Sequence, residues 1–259
     1  MDKENIDVGY EKIIGYPMYV ALKEEILVAT RISISGITNF VTKYECPCLI
    51  DTFLKSCFKP EQIYNSKDVD FANMCNPNKT LMDLLADFIG RKEVLMGEFK
   101  DRTLILRNID LCPEVYERNK GFTIPALAIF NRFRHPSVKM GCRILFVSDT
   151  ELNFQFRTRT IHLPRVDMVV ANSIFDNIKY LYESCGYKFN DSTNFMEGKI
   201  AIELISTPSF ALAEDLLLEA FSASNESQLK NKKELDAKNI CEKLKLCKNR
   251  YSIDKLVLI

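Results

Sequence analysis

Histidine is nearly absent from this chain, with only His135 and His162 among 259 residues. Neither belongs to an H-E-x-x-H helix, which excludes a zinc protease of that kind on this chain. Net charge is absent as well: 35 lysines and arginines face 35 aspartates and glutamates. No global field therefore steers the protein toward nucleic acid or acidic lipid, and any electrostatic targeting is local. No stretch approaches the roughly 18 consecutive apolar residues that a membrane-spanning helix needs, and the charged start MDKENIDVGYEKIIGYP lacks the apolar stretch of a secretory signal. These absences predict a soluble chain with no direct insertion into a membrane.

Cysteine is present but unorganised. Its nine copies are an odd number without a repeated spacing, unlike a disulfide framework, and point to a reducing intracellular compartment: cytoplasm, nucleus or organelle stroma. Cys46 and Cys48 lack the two-residue spacer of zinc or redox hairpins, and no matching pair follows, so no metal is expected. With 47% hydrophobic residues the chain is long enough for one large domain, or a large one plus a small one.

Along the chain, apolar periodicity alternates between strand and helix. NIDVG at 5–9 reads as a short strand, GYEKIIGYP as an irregular loop, and MYVALKEEILVAT as a helix with Met18, Ala21, Leu22 and Glu25 at helical spacing. RISISG alternates as a strand does and ends at Gly36. LIDTFLKSCF (49–58) is a short amphipathic helix, and residues 59–79 read as an insertion. Thr80 is a plausible N-cap for the helix LMDLLADFIGRKEVL.

The apolar centre of RTLILRNIDL, Leu104-Ile105-Leu106, is the continuous run of a strand covered on both faces. A helix near IPALAIFNRF precedes a second such strand at 143–148, and TIHLP at 160–164 supplies a last one. Five strands alternating with helices predict a three-layer α/β core with a parallel sheet. From Asp167 onward the periodicity is helical, with breaks at Gly186 and Pro208, as expected of a small helical bundle. The expected domains are an α/β core over 1–166, a helical lid over 167–250 and a tail over 251–259.

The order of these signals resembles the AAA+ family, in particular the ATPase module of FtsH-type and plastid Ycf2-like proteins. RISISG followed by ITNFVTKYEC is similar to the second core strand and its pore loop, with Tyr44 near the position of the substrate-gripping aromatic and Glu45-Cys46 in place of a small apolar pair. TLILRNIDLC is similar to the Walker B strand, with Ile109 and Asp110 matching its later pair. RILFVSDTE resembles the sensor strand, and FQFRTRTIHLPRVD the arginine-finger segment. STPSFALAEDLLLEAFSAS resembles the lid signature T-P-G-F-x-G-A-D/E, through Thr207, Pro208, Phe210, Ala213, Glu214, Glu219 and Ala220. The resemblance implies a P-loop-like α/β core with five parallel strands, a helical lid, and nucleotide handling in a ring.

The chemistry implied by that resemblance is missing at three places. In GYEKIIGYP, Gly9 and Gly15 stand one residue too far apart for a phosphate loop, and Tyr16 and Pro17 replace its Lys and Ser/Thr. Arg107 and Asn108 occupy the places of the magnesium-orienting aspartate and the catalytic glutamate. A guanidinium repels the ion, and an amide cannot act as a general base. Asp149-Thr150 lacks the sensor asparagine. Of the degenerate nucleotide site, Gly9, Gly15, Tyr16, Pro17, Asp110 and Thr150 remain as markers.

The expectation is a pseudo-ATPase with no cofactor, neither ATP nor magnesium, and no catalytic residue acting in cis. It would serve as a structural or regulatory subunit beside other AAA+ chains in a hetero-oligomeric ATPase, protease or translocation assembly. Arg157 and Arg159 are the candidates for an arginine finger acting on a neighbour. Two alternatives stay open: an active ATP-binding unfoldase with an aberrant P-loop, and a clamp-loader- or initiator-like subunit associated with nucleic acid. The second draws on the basic stretch 131–165, where Arg132, Arg134, Lys139, Arg143, Arg157, Arg159 and Arg165 face only Asp149 and Glu151.

Overall fold

The computed structural model describes residues 3–32, 37–43, 45–59, 63–64, 103–111, 143–153, 158–189, 193–205, 207–226 and 233–250. The helices expected after Thr80 and near residues 124–133, the end of RISISG at Gly36, almost all of the insertion at 59–79 and the tail at 251–259 lie outside them. The chain divides into two compact units. One comprises Met1–Lys43 and Pro47–Leu163, the other Tyr44–Cys46 and Pro164–Ile259.

The first unit is mixed α/β. Helices α1 (Lys3–Ile14) and α2 (Pro17–Ile32) precede strand β1 (Ile37–Val41) and helix α3 (Pro47–Cys57). Strands β2 (Ile63–Tyr64), β3 (Thr103–Arg107), β4 (Arg143–Ser148) and β5 (Arg159–His162) follow, with a 3-10 turn at Ile109–Leu111 after β3. All pairings are parallel, in the order β2-β3-β4-β1-β5. Four of these strands run four to six residues. At one edge the two-residue β2 pairs with Thr103 and Leu104.

The inner strands are buried on both faces, as a parallel sheet covered by helices requires. The edge strand β5 leaves Arg159 and His162 exposed, and charge there discourages edge-to-edge pairing. Helix α2 covers β1, β4 and β5, and α1 packs on α3. Tyr19, Phe40 and Phe53 form a ring cluster in the core, with centroids about 6 Å apart.

Two N-terminal expectations are corrected. Residues 5–9 are not a strand but the middle of α1. GYEKIIGYP is a helix end followed by a helix start: Gly15 N–H donates to the Lys12 carbonyl, Tyr16 N–H to that of Ile13, and the Tyr16 carbonyl accepts from Tyr19 and Val20. Gly15 fits because a Cβ there would stand 3.2 Å from the Lys12 oxygen. Pro17 is the first residue of α2, where its missing N–H costs nothing and its fixed φ suits the helix.

The strand placed at RISISG is also displaced. Helix α2 runs on to Ile32, and the strand is Ile37–Val41. The buried face of α2 is Tyr19, Leu22, Ile26 and Ala29, shifted from the expected Met18, Ala21, Leu22 and Glu25. The helix at 49–58 and the strands at 104–106, 143–148 and 160–164 coincide with α3, β3, β4 and β5.

The second unit is mainly helical: α4 (Met168–Ser184), α5 (Thr193–Leu204), α6 (Phe210–Glu226) and α7 (Ala237–Arg250). Asp167 caps α4 by accepting from Val170 N–H at 2.9 Å, which leaves one fewer orphan donor at that end. At the other end Gly186 takes φ +86°, a conformation glycine adopts without a side-chain clash. Leu216, Leu217, Phe221, Ile240 and Leu244 are among the fully buried side chains where α6 meets α7. One departure from all-helical character is a two-residue parallel ladder, β6 (Lys188–Phe189) with β7 (Glu234–Leu235). Among the described residues no helix is long and apolar enough to cross a membrane.

Candidate functional site

In an open parallel sheet, ligands bind outside the carboxyl ends of the strands, where neighbouring connections diverge. Here β1 lies between β4 and β5, so the loop after β1 stands at such a carboxyl end. That loop is Thr42–Cys46, leading straight into α3. GYEKIIGYP does not follow a strand of the sheet. Gly9 lies within α1, and Gly15, Tyr16 and Pro17 make the α1–α2 turn.

The sequence of this loop, Thr-Lys-Tyr-Glu-Cys, contains no glycine. Thr42 N–H donates to the Ser148 carbonyl at 2.8 Å. Its hydroxyl stands 2.7 Å from Asp149 Oδ1 and 3.2 Å from the same carbonyl. The shorter, charge-assisted bond is the stronger. Asp149 N–H lies 3.4 Å from Asp110 Oδ1, and Ser148 Oγ is 2.8 Å from the Thr150 carbonyl and 3.2 Å from Asn39 Oδ1. The carboxyl ends of β1 and β4 and the 3-10 turn after β3 are thus joined by protein groups, with the carboxylates of Asp110 and Asp149 both engaged in these bonds.

Arg107, the last residue of β3, forms an ion pair with Asp51 of α3. The resemblance places a cation-holding carboxylate at 107; the chain supplies a cation instead and neutralises it on the helix that follows the loop. Arg107→Ala is expected to cost about 1 kcal/mol, because the pair is only partly sheltered from water. Arg107→Asp should cost about twice that, through repulsion of Asp51. Urea unfolding of both variants checks this. Equal stabilities would mean that Asp51 does not sense the charge at 107.

Asn108 has φ +53° and Lys43 φ +52°. Asparagine tolerates this left-handed region better than most side chains, so Asn108 suits its backbone. Arg159 pairs with Glu25 of α2 at 3.6 Å, both about half exposed. His162 lies 3.7 Å from Glu151. Arg157 and Tyr44 lie outside the described residues, as do Arg132, Arg134 and Lys139 of the basic stretch.

Within the second unit Glu45 has a role that sequence reasoning missed. Its Oε2 accepts from Phe210 N–H at 2.6 Å, and its Oε1 from Ala211 N–H and Cys46 N–H, both at 2.8 Å. Ser209 Oγ accepts from Leu212 N–H at 3.2 Å, and the Ser209 carbonyl from Ala213 N–H. Together the two residues satisfy the amides that begin α6, which have no partner inside the helix. Glu45 is only 4% exposed. Burial pushes its carboxyl above the usual range, opposed by these three N–H bonds, with a smaller push from the charge of Glu214. The only sequence signal was a charged residue where a small apolar one was expected.

The connection after β1 differs from a phosphate loop at two of its amides. A phosphate loop presents free N–H groups at the start of the following helix. Here Pro47 has none, and the Cys46 N–H is taken by the Glu45 carboxylate. Among the described residues, no group of three or more His, Cys, Asp or Glu could hold a metal ion.

No protein-family model matches the chain, and no curated protein matches it. Among solved structures it is similar to one titled "Structure of C. elegans PCH-2", at 10% identity, covering 94% of this chain and 69% of that one, with a TM-score of 0.41. A likeness that shallow decides neither family nor chemistry, and both rest on the residues of the chain itself.

Proposed function

We propose that this chain is a catalytically degenerate AAA+-type module that acts through its shape, as a structural or regulatory subunit beside other protein subunits, AAA+ chains foremost. A parallel α/β unit and a mainly helical unit, joined in that order, support the architecture. The segment Thr207-Pro208-Ser209-Phe210 supports it too, because it leads into α6 where the lid signature does. The observation that carries the loss of chemistry is the Thr42–Cys46 connection. It is glycine-free, ends at a proline, and its last amide is already bonded to a carboxylate.

Arg107 strengthens the reading. Its guanidinium, paired with Asp51, stands where the resemblance calls for a magnesium ligand, and a bound divalent cation would meet like charge there. A finger acting on a neighbour's nucleotide would fall to Arg157 or Arg159. For Arg159, release from Glu25 would cost little, since exposed pairs contribute about 0–1 kcal/mol.

Titration of the purified chain with a fluorescent ATP analogue, with and without magnesium, tests the proposal. The expected result is no saturable binding up to millimolar nucleotide. Magnesium-dependent binding in the micromolar range would overturn it in favour of an active ATP-binding unfoldase.

A further inference from the structure

We propose that Glu45 is a ligand built into the chain for the N-terminus of α6, a tethered carboxylate that holds Glu45–Cys46 against that helix start and closes its first amides to an external anion. The inference rests on the bonds of Glu45 and stands apart from whether the module takes nucleotide.

Three N–H donors converge on one carboxylate, from Cys46, Phe210 and Ala211, at 2.6 to 2.8 Å. The first amides of a helix carry the positive end of its dipole and are ready-made partners for an anion. With Ser209 taking the Leu212 amide, no donor in this first turn is left for an external anion. Glu45 is buried, so its bonds face little competition from water. The order of this segment is therefore a permanent property of the fold, independent of any nucleotide cycle.

Amide hydrogen exchange on the full chain, free of nucleotide, tests this. In the wild type, the Phe210 and Ala211 amides should be protected. In Glu45→Ala they should exchange about tenfold faster or more, while Leu216 and Leu217, deeper in α6, stay unchanged. Sodium acetate at tens of millimolar should slow exchange at 210 and 211 in Glu45→Ala and leave the wild type unaffected. Glu45→Gln, which keeps the side-chain length and one acceptor, should give intermediate rates and serves if the alanine variant does not fold.

Wild-type amides exchanging as fast as those of Glu45→Ala, protection that appears only on adding ATP, or no effect of acetate would overturn the inference. The nucleotide titration separates this failure from that of the functional proposal. Protected amides in a chain that nonetheless binds ATP would sink the pseudo-ATPase reading and leave the tethered ligand standing. Unprotected amides in a chain that binds no ATP would do the reverse.

Discussion

Glu45→Ala is expected to lower stability by about 2–3 kcal/mol at neutral pH, measured by urea unfolding. The variant removes the acceptor for the Phe210 and Ala211 amides, and each buried amide left without a partner costs about 1–3 kcal/mol. Relief from burying a carboxylate offsets part of that loss. The pH dependence tests the balance. Burial raises the Glu45 carboxyl in the folded chain above its value of 4.5, so between the unfolded value and the raised one the folded state binds more protons than the unfolded.

Stability from this group therefore falls as pH rises through that window and is greatest below it. The gap between wild type and Glu45→Ala should widen on acidification. Glu214, raised by its own burial and by the neighbouring Asp215, titrates in the same sense in both proteins and cancels to first order in the difference. A gap that narrows on acidification would mean that the N–H bonds outweigh burial and hold the carboxyl below its usual range.

Phe221→Ala should cost more, about 3–5 kcal/mol, as large-to-small changes at a fully buried aromatic do. Phe221 is wholly buried, and its ring stands 5.0 Å from Tyr182, 5.7 Å from Phe189 and 6.1 Å from Phe175. It thereby ties α6 to α4 and to the β6–β7 ladder. The loss should appear in hydrogen exchange across 164–250 and spare β1, β3 and β4. A cost below about 1 kcal/mol would mean that the unit collapses around the missing ring.

The sequence was readable where one rule dominated. Leu104-Ile105-Leu106 and Ile144-Leu145-Phe146-Val147 are uninterrupted apolar runs, and both are buried strands. The helices after Asp167 follow a 3.6-residue period broken by turn residues. Strand β1 was misplaced because Thr38 and Asn39 interrupt its apolar pattern although both are buried, while RISISG offered a cleaner alternation nearby. GYEKIIGYP misled because glycine followed by proline marks both an irregular loop and a helix end meeting a helix start. Arg107 could be read as a lost acid, but its pairing with Asp51 could not. The bond from Glu45 to residues 165 and 166 positions away shows locally only as a charge in place of a small apolar residue, with nothing to name its partners.

The Glu45 arrangement also bears on the history open to such a chain. Recovering a phosphate loop would require glycines between β1 and α3, a residue other than proline at 47, and removal of the carboxylate at 45. The last step alone forfeits a sizeable share of a stability that in proteins of this kind amounts to only about 5–15 kcal/mol. On the proposed function, no single substitution at 107 or 108 is expected to yield turnover, and the step that frees the amides weakens the fold before any gain arrives. On that function each partial reversal is a loss, so the carboxylate at 45 works as a ratchet against any return to hydrolysis.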